Sequence, residues 1–217
     1  MQLTGQERTM IAARVATLEA RTGTQVVACV VDKSDSYPEA PWKAFALGTV
    51  TAALTGLLWR LAGAGWPSEI QVTAHVLGIL GGGASLAFLA TVFSPVARLF
   101  VDGTRREVEV TQFARSLFFK RGLDRTGGRV GILLLVSLFE RKVVILADEG
   151  FDGRIGAPDW GAITRRITLL MRHRTTLIAL RAGLDAMEAM LLERGFHGAG
   201  NVNELPDAVV TDRGIDR

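Results

Sequence analysis

The chain is poor in residues that staple or ligate. Cys29 is the single cysteine in 217 residues, which excludes an intrachain disulfide framework and a zinc ribbon. The three histidines, His75, His173 and His197, stand far apart, and none sits in an H-E-x-x-H spacing. A surplus of one charge is also missing. The 25 Lys and Arg against 22 Asp and Glu leave +3, too little to indicate a nucleic-acid binder. Nor is hydrophobicity low enough for a disordered chain, with 48% hydrophobic residues and a mean hydropathy of +0.26. Glu7, Arg8, Arg14, Glu19 and Arg21 interrupt the first 22 residues, so no signal peptide is expected there.

What is present is concentrated. Residues 44–64 carry one charge, Arg60, and as a helix this run spans about 32 Å, enough for a hydrocarbon core. Gly65 to Glu69 reads as a turn, and 70–93 is a second uncharged run. A two-helix transmembrane hairpin is therefore expected over 42–98. Lys33, Lys43, Arg98, Arg105 and Arg106 flank its outer ends, whereas the turn side offers only Arg60. That bias predicts a multi-pass protein with both termini cytoplasmic. Trp42, Trp59 and Trp66 fall near the expected interfaces. Turning at Gly65, an antiparallel hairpin sets Gly48, Ala52 and Gly56 against Gly82, Gly78 and Ala74, small residues that permit close helix packing. Gly81 and Ser85 lie partly off that ridge and form a second small face, expected to dock a partner helix or another copy.

The flanking sequence reads as soluble α/β structure. Thr4 to Glu7 fits a capping box opening a helix over 4–22, closed by Gly23. Residues 24–32 and 130–138 are near-continuous apolar runs, as in strands covered on both faces. A helix is predicted over 107–122, a third strand over 143–147, and helices from Pro158 and over about 175–194. Cys29 inside the first strand reads as a small buried hydrophobe. No short piece can bury a strand alone, so 1–41 and 99–194 are expected to form one cytoplasmic domain, with 195–217 a flexible tail.

Several stretches resemble the TPM domain family. These are Leu18 to Val27, Phe113 to Asp152 with Gly122-Leu123-Asp124-Arg125-Thr126 and Gly131-Ile132-Leu133-Leu134-Leu135-Val136-Ser137-Leu138, and Glu140 to Gly150. Asn203-Glu204-Leu205-Pro206-Asp207 is similar to the tail of a bacterial membrane subgroup of that family. The resemblance implies an α/β/α sandwich, here interrupted by the hairpin, in the bacterial inner membrane. It also implies one of two roles: an acid phosphatase or divalent-metal binder, or an accessory factor of a membrane complex. Where the family carries Asp-Asn-Gly before its second strand, this chain has Arg129-Val130-Gly131.

A hard cation needs several converging oxygen ligands. Asp124, Asp148 and Asp152, with Glu149 beside them, are the candidates for Ca²⁺ or Mg²⁺, and Arg129 in their midst opposes one. No cofactor is therefore expected, and no catalytic residue is assigned. Phe139, Arg141 and Lys142, in the turn between the second and third strands, are expected to meet the membrane surface. Arg165, Arg166, Arg172, Arg174 and Arg181 form a basic stretch suited to a solvated face, anionic lipid or an acidic partner. The reading is a membrane-anchored, non-enzymatic accessory or assembly factor binding a membrane protein or complex subunit, or a second copy, in the lipid bilayer. The alternative is a weak metal-dependent phosphohydrolase using the acidic residues.

Overall fold

The computed structural model describes residues 3–63, 68–198 and 210–212. It divides into a sheet unit, Met1–Asp35 with Glu107–Arg217, and a helical unit, Ser36–Arg106. Gly65, Trp66 and Pro67 of the expected turn, and the Asn203 to Asp207 motif, lie outside the described residues.

In the sheet unit, α1 (Gly5–Thr22) begins at the capping box. The Glu7 amide donates to the Thr4 hydroxyl at 3.3 Å, and the Thr4 amide donates to the Glu7 carboxylate at 2.8 Å. Gly23, at φ 71°, ends the helix, a left-handed position that a side chain would strain. Strands β1 (Gln25–Val31) and β2 (Gly131–Ser137) are parallel, with Gln25 opposite Gly131 and Val31 opposite Ser137. Strand β3 (Lys142–Ala147) folds back antiparallel on β2, Ser137 facing Lys142. The order is β3-β2-β1-β4, where β4 (Val210–Asp212) runs parallel to β1. The tail thus supplies an edge strand to the sheet. Phe196 is also buried, its ring 5.0 Å from that of Phe151.

Strand alternation distributes the core. Val26, Ala28, Val30, Ile132, Leu134 and Val136 face α1, α6 (Ala157–His173) and α7 (Thr176–Glu193). Val27, Cys29, Val31, Leu133 and Leu135 face α5 (Gly103–Lys120) through Val110, Ala114, Leu117 and Phe118. The result is an α/β/α sandwich in which both faces of β1 and β2 are buried, which explains their unbroken apolar runs. Across α1 and α7, Arg14 Nε pairs with Asp185 at 2.6 Å, and Arg14 and Arg21 both pair with the buried Glu188. Burial alone would lower the Arg14 pKa, but hydrogen bonds and charge from Asp185 and Glu188 outweigh it and raise the value.

The helical unit holds α2 (Glu39–Ala62), α3 (Glu69–Val92) and the short α4 (Ser94–Phe100). Helices α2 and α3 are each long and apolar enough to cross a membrane, and most of their surface is exposed. Leu57, Leu61, Ile70 and Leu77 all point outward, the reverse of a soluble core helix. At the base of the unit, Arg105 pairs with Glu39 at 3.0 Å and lies over the Tyr37 ring, and Lys43 Nζ donates to the Phe100 carbonyl at 3.1 Å.

The two long helices pack through small residues, Gly48 against Gly82, while the ridge farther along α3 departs from the expected one. A Cβ on Gly48 would lie 2.6 Å from the Gly82 carbonyl oxygen, and one on Gly82 would lie 3.0 Å from Ala52 Cβ. Gly56, however, faces the His75 ring rather than Ala74, and a Cβ on Gly83 would meet Thr49 at 2.4 Å. Ala74 is exposed, and nothing lies within 4 Å of where a Gly78 Cβ would be. Each four-residue step overshoots a helical turn by about 40°, so two steps from Gly82 carry Ala74 off the contact face. α3 instead presents Ile79, Gly82, Gly83, Leu86 and Ala90, which combine steps of three and four.

Candidate functional site

The acidic residues gather at the end of the sheet where β2 begins and β3 ends. After α5, Gly122 adopts φ 68° and starts a 3₁₀ turn, Leu123–Arg125. Thr126 then closes the loop, its hydroxyl accepting from the Val130 amide at 3.1 Å and its carbonyl from the Arg129 amide at 2.9 Å. This holds Arg129 at φ 54°, a left-handed conformation uncommon for a long side chain. The second loop follows β3. Asp148 N donates to the Gly131 carbonyl at 3.0 Å, and Gly150 N donates to the Arg129 carbonyl at 3.0 Å. Gly150 is pressed so close that a Cβ would lie 2.5 Å from the Arg129 oxygen and 2.6 Å from the Gly128 oxygen. A Cβ on Gly131 would lie 2.2 Å from the Leu123 oxygen. Two glycines therefore let two loops share one backbone surface.

Arg129 spans that surface. Its Nη1 donates to the Asp124 carbonyl at 2.7 Å, its Nε lies 3.1 Å from Asp148 Oδ2, and its Nη2 lies 3.2 Å from Glu149 Oε2. The Asp148 contact is an ion pair rather than an aligned hydrogen bond, since Oδ2 lacks a hydrogen-bond partner. Asp148 Oδ1 accepts from the Glu149 amide at 2.9 Å. The Asp148 side chain is 6% exposed and that of Arg129 47%, so the guanidinium forms the outer wall of a carboxylate set from within. Asp124 turns Oδ1 inward without a hydrogen-bond partner, while its Oδ2 is 3.9 Å from Arg125. Asp152 is exposed and does not join the group. Of the predicted acids, Asp124 and Asp148 meet around Arg129 together with Glu149. Among the described residues no three His, Cys, Asp or Glu side chains converge as a metal site.

At the opposite end of the sheet unit, the chain leaves β1 and turns from β2 into β3. Glu140, 2% exposed, accepts from the Ser34 amide at 2.9 Å and from the Ser137 hydroxyl, and Ser34 Oγ donates to Ser137 Oγ at 3.1 Å. This buried clamp is not legible as a motif, because Ser34 lies over 100 positions from Ser137 and Glu140 in sequence. Phe139 donates its amide to the Asp32 carbonyl at 2.8 Å, and its ring lies beneath Lys33 Nζ at 5.0 Å. With 7% exposure, Phe139 does not present its ring for insertion into headgroups, contrary to the expectation from its turn position. The turn gives its exposed place to Arg141, at φ 54°, and Lys142 pairs with Glu107 at 3.1 Å.

The NMR structure of the BA42 protein from the psychrophilic bacterium Bizionia argentinensis is similar with a TM-score of 0.57, over 98% of this chain and 97% of that one. At 14% identity, that likeness speaks for the fold alone. No curated protein matches the chain. A match to the TPM domain covers residues 94–190, the stretch that runs from α4 through both acidic loops and into α7. Residues 94–190 are therefore similar to a TPM domain, and the chain as a whole is similar in fold to the BA42 protein.

Proposed function

We propose that this protein is a membrane-anchored TPM accessory or assembly factor that binds another membrane protein and catalyses no reaction of its own. The observation that carries the reading is Arg129. Its guanidinium engages Asp148, Glu149 and the Asp124 carbonyl, the oxygens a divalent cation would require. A fixed positive charge there competes with a metal and leaves no activated water for phosphate-ester hydrolysis. The two long apolar helices support anchorage in a bilayer, and the Lys and Arg flanks favour an orientation with both outer ends on the cytoplasmic side. Gly81 and Ser85 are exposed on α3, away from Gly82 and Gly83, and form the face offered to a partner helix or a second copy.

The inward Asp124 Oδ1 is the feature that keeps the second reading, a metal-dependent phosphohydrolase, in play. Titrating the detergent-solubilised protein with Ca²⁺ and Mg²⁺ while following thermal stability and p-nitrophenyl phosphate hydrolysis decides between them. The expected result is no saturable stabilisation and no hydrolysis; metal-dependent turnover would establish the phosphohydrolase. For the partner face, Gly81→Leu with Ser85→Leu should reduce recovery of the partner or second copy in mild detergent while leaving the sheet unit folded. Unchanged recovery would remove that face from the reading.

A further inference from the structure

The longest stretch without an acid in the sheet unit forms a single surface. No Asp or Glu occurs between Asp159 and Asp185, whereas Arg165, Arg166, Arg172, Arg174 and Arg181 all do. All five are exposed, and among the described residues none has an ion pair or side-chain hydrogen bond. On α6, Arg165, Leu169 and Arg172 recur at helical spacing along one stripe. Two apolar side chains stand out among the arginines, Leu169 at 58% and Ile178 at 48% exposure. Basic side chains interleaved with exposed apolar ones match an anionic lipid surface, where guanidinium groups meet phosphates and apolar tips enter the headgroup boundary.

The fold decides where this surface sits within its unit. Strand β3 ends at the acidic pole, and α6 begins there, just after the 3₁₀ turn Glu149–Phe151. Packed against β3, α6 runs back for 17 residues, about 25 Å, roughly the length of the strands. Arg172, His173 and Arg174 therefore reach the end of the unit where β1 stops, beside the Ser34–Glu140 clamp end. Both covalent crossings to the helical unit, at Asp35 and at Glu107, leave from that same end. We infer that the α6–α7 corner, through Arg165, Leu169, Arg172, Arg174, Ile178 and Arg181, docks on the anionic phospholipid surface of the bilayer in which the chain is anchored. The inference rests on the proposed membrane anchorage and adds a second, electrostatic contact that the spanning helices do not provide.

The test uses the full chain in nanodiscs of phosphatidylcholine alone and of phosphatidylcholine with 30% phosphatidylglycerol. An environment-sensitive dye on Ile178→Cys reports the surface, with the fully buried Cys29 left in place. Tryptic cleavage after Arg172 and Arg174 in the unmodified chain gives a second readout. Phosphatidylglycerol should blue-shift the dye and slow cleavage several-fold, and 0.5 M salt should reverse both. Arg172→Gln and Arg174→Gln should each shift the docked-to-free ratio about five-fold. Identical signals in both lipids would overturn the inference. So would protection that appears only with added polyglutamate, which would assign the surface to an acidic protein. Failure to enter discs of either composition would sink the membrane reading itself, and this inference with it. Entry without lipid-dependent protection sinks the inference alone.

Discussion

Replacing Arg129 with aspartate is the sharpest perturbation of the acidic pole. Arg129 adds one positive charge to the negative charges of Asp124, Asp148 and Glu149. The substitution shifts the local sum by two units toward negative. It also removes the donor to the Asp124 carbonyl, a charged hydrogen bond worth about 1.5–3 kcal/mol. The pair with Glu149, whose side chain is 77% exposed, adds little, because exposed pairs are typically worth about 0–1 kcal/mol. Aspartate tolerates φ 54° better than arginine does, which returns a few tenths of a kcal/mol. Without cation the variant should therefore be less stable by about 2–3 kcal/mol. The same change assembles a carboxylate-rich loop pair. A dissociation constant of about 1 mM, typical of weak Ca²⁺ modules, would give about 1.4 kcal/mol at 10 mM Ca²⁺. For a chain of this size that is a rise of roughly 3–6 °C in Tm. Thermal unfolding with and without Ca²⁺, parent beside variant, makes the comparison. An equal response in the two proteins, or a stronger one in the parent, would refute the claim that Arg129 excludes the metal.

Other consequences follow from close contacts and caps. Gly150→Ala and Gly131→Ala each drive a Cβ into a backbone oxygen, at 2.5 Å and 2.2 Å, and since backbone cannot swing aside, each should cost more than about 2 kcal/mol in denaturant unfolding. A loss under 1 kcal/mol would mean the loops separate easily. In the helical unit, Gly48→Leu should splay α2 from α3 while Gly78→Leu is tolerated, because only Gly48 abuts the opposite backbone; disulfide trapping between cysteines placed on the two helices reads the difference. Asp102, with its pKa lowered by backbone hydrogen bonds from Thr104 and Arg105 ahead of opposing desolvation, caps α5. Its contribution should be complete above pH 3.8 and lost as pH falls through its folded value. Asp102→Ala should remove that acid sensitivity from amide exchange in the first turn of α5, and an unchanged profile would count against the cap.

Local sequence determined the elements because their causes are local. The capping box at Thr4 and Glu7, the C-terminal Gly23, and the apolar runs of β1 and β2 depend on neighbours within a few residues. The two long apolar helices were legible for the same reason, since a span is a matter of length and composition. What needed the tertiary structure involves residues distant in sequence. The face of α3 that meets α2 depends on helix phase accumulated over several turns, so a ridge drawn at constant steps of four drifts from Gly82 to an outward Ala74. Phe139 looked like a turn residue free to face the bilayer, but the return of β1 beside it supplies Asp32 and Lys33 and covers the ring. The Ser34–Ser137–Glu140 clamp exists only because parallel pairing brings the ends of β1 and β2 together. Strand β4 leaves no period in the sequence because it is three residues long and pairs with β1 through its backbone, which any side chain except proline permits. At the acidic pole, the positions of Asp124, Arg129 and Asp148 in the loops beside the second and third strands mark them in the sequence. Only the approach of Gly131 and Gly150 to opposing carbonyls sets the distance at which one guanidinium can serve both loops.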